Sequence, residues 1–149
     1  MRCRLQEGAF TIIELVIVMM IVGVLAAFAT PRLSRWLAIT GVDAAAREIA
    51  TELQLGKMRA ISQNTRYRIS FNTENNTYQV QKYVTGTWQD VGDPKLLPAG
   101  VDLVSATTTP TFKTLGTTLA GATIRLRNAQ GRTRTITVSL TGRVKVKNE

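Results

Sequence analysis

The segment GAFTIIELVIVMMIVGVLAAFA, residues 8–29, decides the fold of this 149-residue chain. From Phe10 to Ala29 the only charged residue is Glu14. In a helix, twenty residues rising about 1.5 Å each extend about 30 Å, which matches the hydrocarbon core of a bilayer. We therefore expect residues 10–31 to form a transmembrane helix and the more polar remainder to form one soluble domain.

Three interpretations of this N-terminal segment compete. In a secretory signal, Arg2 and Arg4 would supply the basic region and residues 27–29 a small-x-small cleavage site, so that a soluble protein is released. In a plain membrane anchor, the segment stays in place. In a filament subunit, the segment is also a packing helix. Glu14 favours the filament subunit. A carboxylate costs about 2.5–3.5 kcal/mol at the bilayer centre, and neither a secretory signal nor a plain anchor gains anything from it.

Residues 8–15 resemble the cleavage motif of the type IV pilin and pseudopilin family, in which a short basic leader ends in a small residue before Phe-Thr-x-x-Glu. The resemblance implies that a prepilin peptidase removes residues 1–9 by cutting between Ala9 and Phe10, and that Phe10 becomes N-methylated. Glu14 is then the fifth residue of the mature chain, as in the family. The family more often has Gly before the cut, so cleavage after Gly8 is the alternative, although it would make Glu14 the sixth residue. Pro31 matches a proline common in these helices.

The same resemblance gives Glu14 a role in filament assembly. In a filament core, its carboxylate can meet the free amine of Phe10 on a neighbouring subunit, which offsets the desolvation of both charges and sets their axial register. The implied partners are other pilins or pseudopilins, the prepilin peptidase and the inner membrane. The implied location is the bacterial inner membrane with a single pass, a periplasmic head and assembly into a periplasmic or surface filament.

The rest of the chain predicts an α+β head. A stripe of small and apolar residues continues the helix through residues 32–64, with a kink expected at Pro31, and packs on an antiparallel sheet formed by residues 65–149. Strands are predicted at residues 66–71, 77–84, 88–91, 101–104, 111–113, 122–127, 133–140 and 143–147. The closing Thr135 to Lys145, a strand running into Gly-Arg, resembles the FimT/GspH branch of minor pilins and pseudopilins.

The net charge of +9 is concentrated near the C-terminus, where residues 121–149 carry seven basic side chains and one acidic side chain. If the last three strands form a meander, period-two alternation brings five cations onto one face; these are Arg125, Arg127, Arg143, Lys145 and Lys147. Arg132 and Arg134 have the wrong parity or lie in the turn, so we place them at the margin of this face. The face is either a solvated, edge-protecting surface or a phosphate-binding surface without sequence preference. Some FimT-like members bind DNA through Gly-Arg-x-Arg, which residues 142–145 resemble with Lys in the last place.

Composition argues against catalysis. The chain has no histidine and a single cysteine, Cys3, so it can form neither a Ser-His-Asp nor a Cys-His site. Its carboxylates are scattered, and we predict no enzyme activity, no metal and no cofactor. Two functions remain. The first is a minor pseudopilin of a type II secretion pseudopilus, and the second is a minor type IV pilin whose basic face binds DNA. A secreted soluble protein is a third, weaker reading.

Overall fold

The computed structural model describes the backbone of residues 11–148 and the side chains of that range except 27–39 and 148. A long helix, α1 (Ile12–Ser62), is followed only by strands. The chain divides into two compact units, Met1–Trp36 and Leu37–Glu149. Within the described part, no helix is both long and apolar enough to cross a membrane. The transmembrane helix expected at residues 10–31 extends beyond the described side chains and stays a prediction, as does the kink at Pro31.

The part of α1 in the second unit buries the stripe that the sequence predicted. Its side chains are 0–1% exposed at Val42, Ala45, Ala46, Ile49, Leu53 and Ala60. The helix ends at Ser62 because Asn64 adopts a left-handed φ of 47°, and the amide of Thr65 donates back to the carbonyl of Ala60 at 3.2 Å. This end lies two residues before residue 64, the predicted end of the helix.

In the described residues after the helix, nine strands form two antiparallel sheets, whereas the sequence predicted one antiparallel sheet. The strands are β1 (Tyr67–Asn72), β2 (Thr77–Val84), β3 (Thr87–Asp90), β4 (Lys95–Leu96), β5 (Val101–Ala106), β6 (Thr111–Phe112), β7 (Ala122–Asn128), β8 (Thr133–Val138) and β9 (Val144–Asn148). Sheet 1 has the order β3-β2-β1-β6, with β4 also paired to β2. Sheet 2 has the order β5-β7-β8-β9.

One apolar core joins the helix to both sheets. Ile69 and Phe112 of sheet 1 lie close to Gly56 of the helix, whereas Val101 of sheet 2 lies close to Gly41. Each of these three apolar side chains is at most 3% exposed. The α+β fold class is therefore confirmed, with a helix packed on antiparallel sheet structure.

Candidate functional site: the N-terminal motif and the basic face of sheet 2

The N-terminal motif is described only from Thr11 onward, so the predicted processing residues Ala9, Phe10 and Gly8 lie outside the described residues. Thr11 precedes the first residue of α1, and its Oγ1 accepts a hydrogen bond from the amide of Glu14 at 3.3 Å. Thr-x-x-Glu is the spacing of a capping box, and a carboxylate in the first turn is favoured by the helix dipole. In the described part of the chain, Glu14 makes no ion pair. Its carboxylate is therefore placed at the helix start without a charged partner in the described residues.

The helix that follows presents its large apolar side chains to solvent. They are 45–84% exposed at Ile12, Ile13, Leu15, Val16, Ile17, Val18, Met19, Met20, Ile21, Val22, Val24 and Leu25. A continuous apolar surface of this kind marks a region that contacts lipid or another protein. The filament-subunit interpretation requires such an apolar helix surface next to Glu14 in the sequence.

The meander predicted for the last three strands is present in sheet 2. Strand register aligns Arg125 of β7 with Thr135 of β8, and Thr135 with Lys147 of β9. In the next row, Thr137 pairs with Lys145. Parity places these cations on the face opposite the buried Leu126 and Ile136 of the core. We call this outer surface, formed by Arg125, Arg127, Lys145 and Lys147 around the threonines of β8, the basic face.

The basic face is exposed, and among the described residues the register brings one carboxylate beside it. Arg125, Arg127, Lys145 and Lys147 are all exposed. The neighbouring strand β5 brings one carboxylate, Asp102, opposite Arg127, and Asn76 also donates to that carboxylate at 3.2 Å. At the centre, Thr135 is 5% exposed, and its Oγ1 has no hydrogen-bond partner among the described residues. The arrangement suits electrostatic attraction of an anion, because the described residues of this surface include four cations and one neighbouring carboxylate.

Arg143, predicted as the first residue of the last strand, lies in the turn one residue before β9 begins at Val144. It lines a shallow groove of about 310 Å³ with Lys145 and three hydroxyl residues, which are Thr137, Ser139 and Thr141. The backbone amide of Arg143 donates to Ser139 Oγ at 3.2 Å, which fixes the turn. The groove continues the basic face and offers hydroxyl and cationic donors to an oxyanion.

Gly142 makes this turn possible. Its φ is +72°, and a Cβ added there would overlap the carbonyl oxygen of Gly116. Lys57 of α1 also donates to the Gly142 carbonyl at 3.2 Å. The glycine of the Gly-Arg sequence is therefore required by packing between the helix, the Gly116 loop and the turn.

Arg132 and Arg134 lie away from the basic face, as their parity predicted. Arg134 is 4% exposed, and its Nε lies 2.5 Å from Oδ1 of Asp43 on α1. Arg132 approaches Oδ2 of the same carboxylate at 3.8 Å. The sequence analysis missed Asp43 as their partner, because no local pattern connects residues some ninety positions apart.

A second feature that the sequence analysis missed is an arginine–aromatic cluster on the outer side of sheet 1. The guanidinium of Arg68 stacks 4.2 Å from the ring centre of Trp88, and that of Arg66 lies 5.3 Å from the ring centre of Tyr83. The two rings meet edge-on at 5.2 Å. The available signal was the alternation of Arg66, just before β1, with Arg68 inside it. Such contacts stabilise a sheet by about 0.5–1 kcal/mol each at exposed positions.

The titratable groups under sheet 1 serve packing. The hydroxyl of Tyr78 is buried and donates to Glu48 Oε1 at 2.7 Å, and burial together with this carboxylate raises the pKa of Tyr78 above its ordinary value of 10. Lys95 forms an ion pair with Glu52, which lies one helical turn after Glu48 in α1. Among the described residues, no three metal-binding side chains cluster.

Comparison with protein families gives two matches that together cover most of the chain. Residues 45–142 match the family described as Type II transport protein GspH. Residues 4–30 match the prokaryotic N-terminal methylation motif. A comparison with curated proteins gave no match.

Comparison with solved structures shows the same fold in two filament systems. The minor pseudopilin EpsH from the Type 2 Secretion System of Vibrio cholerae is similar with a TM-score of 0.64 at 11% identity, over 72% of this chain and 97% of that one. The type IV minor pilin FimU of Pseudomonas aeruginosa is similar with a TM-score of 0.59 at 17% identity, over 75% of this chain and 92% of that one. At these identities the likeness establishes the pilin-like fold.

Proposed function

The chain belongs to the Type II transport protein GspH family, and on that premise we propose that it is a minor pseudopilin, a structural subunit of a type II secretion pseudopilus. The observation that carries the proposal is the GspH match over residues 45–142, which covers the head. The fold alone does not distinguish a type II secretion pseudopilus from a type IV pilus, because a pseudopilin and a type IV pilin share it. The head match therefore favours secretion over a pilus.

The N-terminal half supplies the assembly chemistry of this proposal. Removal of residues 1–9 at Ala9 would leave an amine on Phe10, four positions before Glu14. The methylation-motif match over residues 4–30 supports this processing. The exposed apolar side chains of residues 12–25 would lie first in the inner membrane and then among neighbouring subunits. In both surroundings the head stays in the periplasm.

Deletion of the encoding gene tests the proposal. We expect substrates of the type II system to accumulate in the periplasm and to return to the medium when the wild-type chain is restored. Surface pili and transformation frequency serve as the parallel readout. Unchanged secretion together with lost pili or lost transformation would contradict the pseudopilin assignment and favour a type IV pilus.

A second candidate function, DNA binding by a type IV minor pilin, is favoured by the geometry of sheet 2. Arg125, Arg127, Lys145 and Lys147 share one exposed surface, and Arg143 extends it through the groove beside Lys145. No aromatic ring lies among these residues in the register, so contacts would be with phosphates and independent of sequence. The salt dependence of duplex binding tests this candidate.

A further inference from the structure

A cavity of about 360 Å³ lies between α1 and the ends of β8 and β9, on the side of sheet 2 opposite the basic face. Its lining residues are Asp43, Arg47, Arg132, Arg134 and Val146. Arg134 forms the floor, with its side chain 5% exposed, whereas Arg132 and Asp43 are 40% and 31% exposed. The cavity is therefore open to solvent and has a buried guanidinium at its base.

The pairing of Asp43 explains only part of this cluster. The carboxylate contacts Arg134 at 2.5 Å and Arg132 more loosely at 3.8 Å, which accounts for a structural link between the helix and sheet 2. Arg47 is one helical turn beyond Asp43 and lines the same cavity, yet it makes no ion pair within the described residues. Among the described residues, three arginines and one carboxylate thus line the cavity, and a further anion would bring the cluster closer to neutrality.

The chemistry of the lining selects the ligand class. Guanidinium groups present parallel N–H donors that match the paired oxygens of a carboxylate or a phosphate. Among the described residues the lining offers few apolar contacts, because Val146 is the one apolar residue that lines the cavity there. A small oxyanion fits this composition better than an apolar or a cationic ligand does.

We propose that this cavity is an oxyanion site in which Arg47, Arg132 and Arg134 bind a carboxylate or phosphate group. Two sources can supply the group, an acidic side chain of a neighbouring filament subunit or a free or lipid phosphate. The first source rests on the proposed function, because it requires assembly. The site itself does not, and it is tested separately.

Phosphate binding by the full chain in detergent tests the site. The midpoint of thermal unfolding is measured in sodium phosphate and in sodium chloride at equal ionic strength, over a series of phosphate concentrations. A ligand that binds the folded state raises the midpoint by mass action. We expect Arg47→Gln to weaken phosphate binding roughly tenfold, since one charge-assisted contact is lost.

Arg66→Gln is the matched control, because it removes the same charge from an exposed residue on sheet 1. It should keep the response of the wild type. Arg47 is exposed, so Arg47→Gln should have a midpoint near the wild type in chloride. Arg66→Gln also loses the contact with Tyr83, worth about 0.5–1 kcal/mol, so the phosphate response of each variant is measured from its own midpoint in chloride. No phosphate response in the wild type, or an equal response in both variants, would overturn the site.

Recruitment into filaments distinguishes the two sources. Wild type, Arg47→Gln, Arg47→Glu and Arg66→Gln are each expressed in the deletion strain, and the fraction that copurifies with the filament is measured. A neighbouring carboxylate predicts reduced recruitment for Arg47→Gln and a larger loss for Arg47→Glu, with Arg66→Gln normal. Normal recruitment of all four, with phosphate binding lost in Arg47→Gln, assigns the site to a phosphate. Failure of the wild type itself to copurify counts against the proposed function, while the phosphate titration still decides the site.

Discussion

Replacing Gly142 by alanine should destabilise the head through two separable effects. The first is backbone strain, because a φ of +72° costs an L-residue roughly 1–2 kcal/mol. The second is overlap of the new Cβ with the carbonyl oxygen of Gly116, which belongs to the backbone and cannot rotate away. Forced overpacking costs about 1–3 kcal/mol. The expected loss of unfolding free energy is therefore about 2–5 kcal/mol.

Gly131→Ala isolates the first effect. Gly131 has a similar φ of +83°, and a Cβ there would meet nothing within 4 Å. It should lose only the strain of roughly 1–2 kcal/mol. The difference between the variants, about 1–3 kcal/mol, measures the close approach of Gly142 to Gly116.

Thermal unfolding of the full chain in detergent is the assay. At roughly 4 °C per kcal/mol for a domain of this size, Gly142→Ala should melt about 4–12 °C below Gly131→Ala. Equal midpoints for the two variants would refute the packing role of Gly142. The glycine would then be required only for the φ of the turn, and its close approach to Gly116 would not matter for stability.

Three further predictions follow from the sites. Glu14→Ala should leave membrane insertion intact, because loss of a charge favours the bilayer, but it should reduce the fraction of the chain that copurifies with filaments. Normal copurification would contradict the proposed pairing of Glu14 with the Phe10 amine. If the basic face binds DNA, the log–log salt slope for duplex should be about −3 to −4.5, from three to five phosphate contacts, and replacing Arg143, Lys145 and Lys147 by Gln should flatten it for every sequence. No affinity of the wild type at low salt would identify the cations as edge protection. Because burial raises the pKa of Tyr78 above 10, the unfolded chain ionises this hydroxyl before the folded chain does, and the fold loses stability as pH rises above 10. Tyr78→Phe should therefore lose less stability than the wild type in alkaline denaturation. Equal losses would show that ionisation of Tyr78 does not weaken the fold.

Local patterns were sufficient for most of the fold. Strand β2 has the predicted bounds, Thr77–Val84, because its flanking turn residues and its alternation act within a few positions. The buried stripe of α1 was equally readable, since its 3.6-residue period depends only on the helix. The outward direction of Arg125 and Lys145 followed from strand parity in the same way.

Features that depend on pairing between residues far apart in the sequence could not be predicted from local patterns. Strand β4 is two residues long and exists only because Lys95 and Leu96 pair with Tyr78 and Thr77 of β2. The division into two sheets likewise depends on which strands meet. Strand alternation places Val146 on the inner side of β9, opposite Ile136, yet it is 40% exposed because β9 is an edge strand and leaves part of the cavity beside Asp43 open.

The candidate sites divide in the same way. The positions of Glu14 at the helix start and of the cations on sheet 2 were predictable, because each depends on local periodicity. The cluster around Asp43 was not, since its arginines come from both α1 and β8. The packing of Gly142 on Gly116 was also hidden, because the two glycines lie in separate turns that only the folded head brings together.

The mature N-terminus tests the filament-subunit interpretation most directly, because the anchor, the free amine and the pairing with Glu14 all depend on where the chain is cut. The intact mass of the chain extracted from membranes should correspond to 140 residues beginning at Phe10, the 149 residues less the nine of the leader, with one added methyl group. A mature chain that begins at Thr30 would contradict the filament assignment and establish a secreted, soluble protein.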